Sequence, residues 1–120
     1  MIEVKSVTKS FGDLTVLKDF SVDFNQEGVT VLLGPSGTGK STLLRCINAL
    51  ETIDSGDIIV NGLSVKEKKN LRQIRLDCGM VFQDHRLLPW LTVADNVAFG
   101  LRQVPRAQKR ALVAEYLNLV

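Results

Sequence analysis

Nine residues, GPSGTGKST (Gly34 to Thr42), constrain this chain more than any other part of it. Glycines, hydroxyls and a single lysine leave almost nothing that a hydrophobic core could use. The flanks are as informative. VTVLL (29–33) is a short continuous apolar run of the kind expected of a strand covered on both faces. Beyond the loop, Leu43, Leu44, Ile47 and Leu50 fall at helical spacing and predict a helix over Lys40–Leu50. The order is therefore strand, glycine loop, helix. The segment satisfies G-x-x-x-x-G-K-S/T through Gly34, Gly39, Lys40 and Ser41. Glycines let the backbone curl with its amides pointing inward, which makes a concave anion site. A helix starting there adds free N–H groups and its positive dipole end. Lys40 can reach the β- and γ-phosphates of a nucleotide and the Ser41 hydroxyl can take a position on Mg²⁺. A chance glycine-rich turn would lack the buried strand before and the amphipathic helix after.

The remaining chain predicts an α/β domain. Ile2 and Val4 alternate as in a strand, and so do Phe20, Val22 and Phe24 against Ser21 and Asp23. With SFGDL as the turn, residues 1–27 predict an antiparallel hairpin. DSGDIIVNG (54–62) predicts a short strand closed by an Asn-Gly turn. Ser64 and Glu67 have capping-box spacing and predict a helix through about Leu76. CGMVFQ (78–83) predicts another strand. Thr92 and Asp95 form a second capping box before Val93, Val97 and Leu101. Pro105 suits the first turn of a last helix with Leu112, Tyr116 and Leu119 on its apolar side. No repeat or low-complexity linker interrupts the 120 residues. LNLV ends in an apolar helical stretch with no glycine or proline to close it, as a cut inside a domain would.

Composition narrows the class. Hydrophobic content of 45% and charged content of 23% suit a globular domain with a real core. A formal charge of +2 gives no ground for nucleic-acid binding. Lys66, Lys68, Lys69, Arg72 and Arg75 are basic but read as the solvated face of a helix. Cys46 and Cys78, isolated from each other and from other ligands, predict reduced packed thiols. The N-terminus lacks the apolar core of a signal peptide, and no apolar run approaches the ~20 residues of a membrane-spanning helix. A cytoplasmic chain with no direct membrane insertion is expected.

Beyond the glycine loop, VTKSFGDLTVLKDFSVDF, the run GPSGTGKSTLLRCINALE followed by DSGDIIVNG, and GMVFQDHRLLPWLTVADNVAFGL together resemble the ATPase subunits of ABC transporters. The match covers essentially the whole chain but the first half of a typical member. The resemblance implies a partial P-loop NTPase fold: an antiparallel β subdomain (1–27), part of the nucleotide-binding core (28–83) and the start of a helical subdomain (84–120). It implies ATP and Mg²⁺ as ligands. The phosphates would lie on Gly34, Pro35, Ser36, Gly37, Thr38, Gly39, Lys40, Ser41 and Thr42. Phe11 stands where the family stacks an aromatic ring, usually Tyr, on adenine, and Val16 is implied to line the same site. Gln83 matches the Q-loop glutamine, which touches Mg²⁺ and the attacking water. An amide suits that role, its carbonyl facing a cation and its NH₂ an oxygen. Implied partners are the transmembrane permease subunits of an importer and a second copy of the full-length ATPase, with the protein peripheral on the inner face of the cell membrane. LLPWLTVADNVAFGL resembles sulfonate/nitrate importers, whereas RCINALE resembles the polar amino-acid group, so the solute stays open.

The competing reading takes GMVFQD as the strand that presents Asp84 to Mg²⁺ in a small P-loop kinase or GTPase. Gln83 breaks the apolar run where that strand should stay buried, and no NKxD-like guanine motif is present. His85 reads as a surface residue, because the family's switch histidine lies far downstream. Trp90, amid Leu87, Leu88, Pro89 and Leu91, is expected in the core, with a docking surface for a membrane subunit as the alternative. The family's LSGGQ signature, Walker B aspartate, catalytic glutamate and switch histidine do not occur in residues 1–120. The resemblance implies that the complete protein hydrolyses ATP to power solute transport, whereas residues 1–120 alone are expected to bind ATP–Mg weakly with negligible turnover; the alternative is a non-catalytic ATP-binding fragment. Strands from the later half would run beside the phosphate-loop strand, and without them sheet edges would be exposed.

Overall fold

The computed structural model describes residues 1–101 and 103–120, in two compact units, Met1–Met80 and Val81–Val120. The first unit is built on the expected hairpin. Strands β1 (Ile2–Phe11) and β2 (Leu14–Phe24) pair antiparallel from Ile2↔Phe24 to Phe11↔Leu14. Strand β3 (Ser55–Val60) pairs antiparallel with the other edge of β1, and the short β4 (Leu63–Ser64) returns beside β3 through Asn61-Gly62. The sheet order is β2-β1-β3-β4.

One close approach fixes how β3 meets β1. The ladder slips where Ser6 takes a φ of 48°, and Gly56 crosses opposite it with a φ of 80°. A Cβ on Gly56 would run into the backbone of Lys5 and Ser6. Only glycine fits that crossing.

Helix α1 (Lys40–Ile47) follows the glycine loop and buries Leu43, Cys46 and Ile47. These join Val4, Val7, Leu17, Ile58 and Val60 of the sheet, and Ile74 of helix α2 (Leu71–Asp77), in one core. Each such side chain taken out of water contributes roughly 1.5–3 kcal/mol. Leu44 and Leu50, placed on the apolar side by spacing, are half exposed; Cys46 occupies the buried position instead. Cys46 and Cys78 are free thiols.

Three sequence-based elements differ. VTVLL forms no strand: no ladder among the described residues includes 29–33, and Val29, Val31 and Leu33 are exposed. CGMVFQ forms none either, apart from Cys78 ending α2. Apolar pattern describes side chains, but a strand exists only when a neighbour takes its backbone hydrogen bonds. The helix predicted from Ser64 starts later, as a 3-10 turn over Lys68–Asn70 leading into α2. Ser64 Oγ donates to both Asp57 carboxylate oxygens at 2.8 Å, so it caps no helix.

In the second unit the Thr92 box forms. Thr92 Oγ1 accepts from the Asp95 amide at 3.1 Å and caps helix α3 (Val93–Phe99). Helix α4 (Arg106–Asn118) starts after Pro105 and buries Val113, while Tyr116 and Leu119 are exposed. Among the described residues no helix is long and apolar enough to cross a membrane.

Candidate functional site

The loop from Gly34 to Thr42 is held from its helical end. Gly39 is buried, with a φ of 87°, and forms the N-cap of α1. It lies flat against β2: a Cβ there would sit 2.8 Å from Val16 Cγ1 and 3.0 Å from the Val16 carbonyl oxygen. Val16, placed at the nucleotide site by resemblance, thus forms the wall on which the loop rests. The first turn of α1 has no intrahelical acceptors for its N–H groups. The first α1 amide to find one is Leu43, which donates to the Gly39 carbonyl at 2.8 Å.

Lys40 turns back over the loop. Its Nζ donates to the carbonyls of Gly34 (2.8 Å) and Pro35 (2.5 Å) and approaches Thr38 Oγ1 at 3.3 Å. Thr38 Oγ1 in turn donates to the Pro35 carbonyl at 2.9 Å. The ammonium is therefore kept at the loop's centre by neutral dipoles and, among the described residues, carries no carboxylate partner there. A phosphate would satisfy it better, since charge-assisted bonds are roughly twice as strong as neutral ones. Ser36, Gly37 and Ser41 are exposed and Thr42 is half-buried, so the Ser41 hydroxyl is open to a metal-bound phosphate. Gly39 pressed on β2, a bare helix start and a centred lysine suit a polyphosphate and fit its Mg²⁺ through Ser41. Among the described residues no group of three or more His, Cys, Asp or Glu is gathered for a metal.

Phe11 ends β1 opposite Leu14, half exposed, at the tip of the hairpin that carries Val16. Gln83 belongs to the second unit, in an exposed segment without helix or strand. Asp84 is exposed and lies 3.8 Å from Arg86, not at the end of a buried strand as the kinase or GTPase reading required. His85 is exposed and, with Leu87, Leu88, Leu91, Val97 and Phe99, borders a hollow of about 520 Å³. Trp90 is 75% exposed, which corrects the expectation that it packs in the core. The five basic residues from Lys66 to Arg75 are exposed, as a solvated face requires.

Two residues escaped the sequence reading. Lys9 is a buried lysine on β1, ion-paired to Glu51 at 2.9 Å. Its signal was a charge falling in step with Val7 on the inward face. Asn96 binds the leucine-rich loop together: its Oδ1 accepts from the Leu88 amide at 2.8 Å, and its Nδ2 donates to the carbonyls of Leu88, Leu91 and Thr92. No local motif announces it.

Comparison with known proteins agrees with this geometry. The ABC transporter family model matches residues 17–120. The glutamine transport ATP-binding protein GlnQ of Escherichia coli is 53% identical over 110 residues, covering 91% of this chain and 46% of that protein. The glutamate transport ATP-binding protein GluA of Corynebacterium glutamicum is 46% identical over 124 residues, covering 100% of this chain and 51% of that protein. Among solved structures, the dimeric post-hydrolysis state of the ATP-binding cassette MJ0796 bound to ADP and Pi superposes with a TM-score of 0.85 at 30% identity, over 98% of this chain and 56% of that one. The chain spans about half the length of the curated relatives it matches. Loop, fold and sequence agree that it belongs to the ABC transporter family, as the N-terminal part of its ATP-binding domain.

Proposed function

We propose that the chain binds ATP through residues 34–42 and that, in the complete protein, ATP binding and hydrolysis drive solute import through membrane permease subunits. The observation that carries this is Lys40, its ammonium centred over a glycine loop at a helix start and held by the neutral oxygens of Gly34, Pro35 and Thr38. The loop amides and Lys40 hold the phosphates, Ser41 holds Mg²⁺, and Phe11 lies under the base beside Val16. Mg²⁺ supplies charge neutralisation on the phosphates when bound. Gln83 takes the Q-loop role, toward the metal and the attacking water, on the strength of its motif. Two full-length copies pair, and the assembly sits at the inner face of the membrane through its permease. Relatives named for glutamine and glutamate transport agree with RCINALE and favour a polar amino acid as solute.

Residues 1–120 carry the binding groups but not the family's catalytic glutamate or signature. The chain alone therefore binds ATP–Mg with negligible turnover. A fluorescent ATP analogue should bind the purified chain and fail to bind Lys40→Ala; equal binding by both refutes the phosphate site. Steady-state hydrolysis above that of Lys40→Ala would refute the separation of binding from turnover.

A further inference from the structure

A lysine that is only 7% exposed in its side chain needs a reason, because a buried charge is costly unless paired. Lys9 has one acid close by, Glu51 Oε1 at 2.9 Å, and a second, Asp54 Oδ1, at 4.0 Å. Asp54 is itself tied to the strand: its Oδ2 accepts from the Ser10 amide at 2.7 Å and its own amide donates to the Thr8 carbonyl at 2.9 Å. The ammonium is thus fixed in place by the segment that follows α1. From there it faces an aromatic ring: Nζ lies 4.8 Å from the centroid of Phe11.

Phe11 has no hydroxyl to anchor it and is 48% exposed. A ring so placed would otherwise sample several rotamers. A cation held against one face attracts the ring's negative quadrupole and fixes its plane. It also draws electron density from the ring, which favours stacking of an electron-rich purine on the opposite face. The ring's place along the hairpin suits this. Phe11 pairs with Leu14, and two residues further along β2 is Val16, the wall of the phosphate loop at Gly39.

We propose that Lys9 is a positioning residue for the nucleobase: clamped by Glu51 and Asp54, it holds the Phe11 ring in the plane on which the base of ATP stacks. This rests on the ATP-binding reading above and adds a residue that acts through Phe11 without touching ligand. The alternative is that Lys9 merely bolts β1 to the 51–54 segment.

The two are separated by measuring affinity for two probes, ATP and inorganic tripolyphosphate, which has no base. Lys9→Met should weaken ATP about five-fold and leave tripolyphosphate unchanged, with Lys9→Arg restoring most of the loss. In a Phe11→Leu background the Lys9→Met change should cost ATP nothing further. If Lys9→Met does not fold, Glu51→Gln, which keeps the lysine but removes its clamp, is expected to show the same selectivity for ATP. Equal weakening of both probes, or a full additional loss in the Phe11→Leu background, overturns the proposal and leaves the phosphate site intact. Failure of Lys40→Ala to weaken either probe overturns the ATP-binding reading itself.

Discussion

Gly39 is the position where the phosphate loop tolerates least. Alanine there must hold a φ of 87°, which costs an L-residue about 1–2 kcal/mol. The new methyl would lie 2.8 Å from Val16 Cγ1, 3.0 Å from Val16 O and 3.2 Å from Leu17 Cδ2. The valine methyl can move a few tenths of an ångström; the Val16 carbonyl belongs to backbone held between the paired residues Thr15 and Leu17 and moves less. Overpacking of this kind costs roughly 1–3 kcal/mol. Alanine also restricts the unfolded chain, which offsets about 0.4–1 kcal/mol. The net expectation for Gly39→Ala is a loss of about 3 kcal/mol, a large share of the ~5–15 kcal/mol typical of a domain. Urea unfolding followed by far-ultraviolet circular dichroism measures it. Trp90 fluorescence does not suit, because that residue is exposed in the other unit. The cause is tested by adding Val16→Ala, which removes one of the three contacts and leaves the backbone strain. The double variant should be about 1 kcal/mol more stable than the sum of the single losses predicts. Strict additivity, or a Gly39→Ala protein as stable as its parent, refutes the packing account. Because Lys40 follows directly, affinity for an ATP analogue should fall at least about tenfold along with stability.

Gly56→Ala should be worse still, since its Cβ meets the backbone of Lys5 and Ser6, with no side chain able to yield; a melting temperature within a few degrees of the parent would refute it. Burial pushes the Cys46 thiol up to about 11 from 9.0, Lys9 opposing. The folded chain then holds that proton more tightly than the unfolded one. Its stabilisation is complete below pH 9 and is lost as pH rises toward 11, by about 1.4 kcal/mol per unit. The Glu51 carboxylate raises Lys9 above 10.5, so its own loss begins later. Burial also raises the Cys78 thiol above 9.0, so urea titrations between pH 9 and 10.5 should slope downward in the parent and less steeply in Cys46→Ala, where Cys78 still contributes; equal slopes refute the assignment.

What was legible in the sequence was whatever is decided within a few residues. The helix after the glycine loop, the hairpin through SFGDL, the Asn61-Gly62 turn and the Thr92 cap each carry their chemistry in adjacent positions, and each formed. Misreadings arose where a partner lies elsewhere. Ser64 and Glu67 have perfect capping-box spacing, yet Asp57 across the β3–β4 hairpin captures the serine hydroxyl. VTVLL has strand composition, yet pairing needs a second strand, and no period in one segment can supply it. Trp90 has the character of a core residue, but the Asn96 bonds that shape its loop leave the indole outside. The candidate site divides in the same way. Its loop was readable in one glance, whereas the wall at Val16 and the clamp on Lys9 depend on contacts with residues 23 and 42 positions away along the chain.

These contacts determine which side of the phosphate loop carries its geometry. The stretch leading in, 29–33, forms no ladder among the described residues, and four of its five side chains are exposed. The stretch leading out is fixed twice, by Gly39 against β2 and by Leu43, Cys46 and Ile47 in the core. A backbone loop with one rigid end takes its shape from that end. The amides of the first α1 turn, and Lys40 beside them, are therefore oriented by the helix and the hairpin. The same hairpin carries Phe11, so in the proposed ATP complex one element would set both where the phosphates sit and where the ring stands. Base and phosphate recognition would then be coupled through β2 over a few residues.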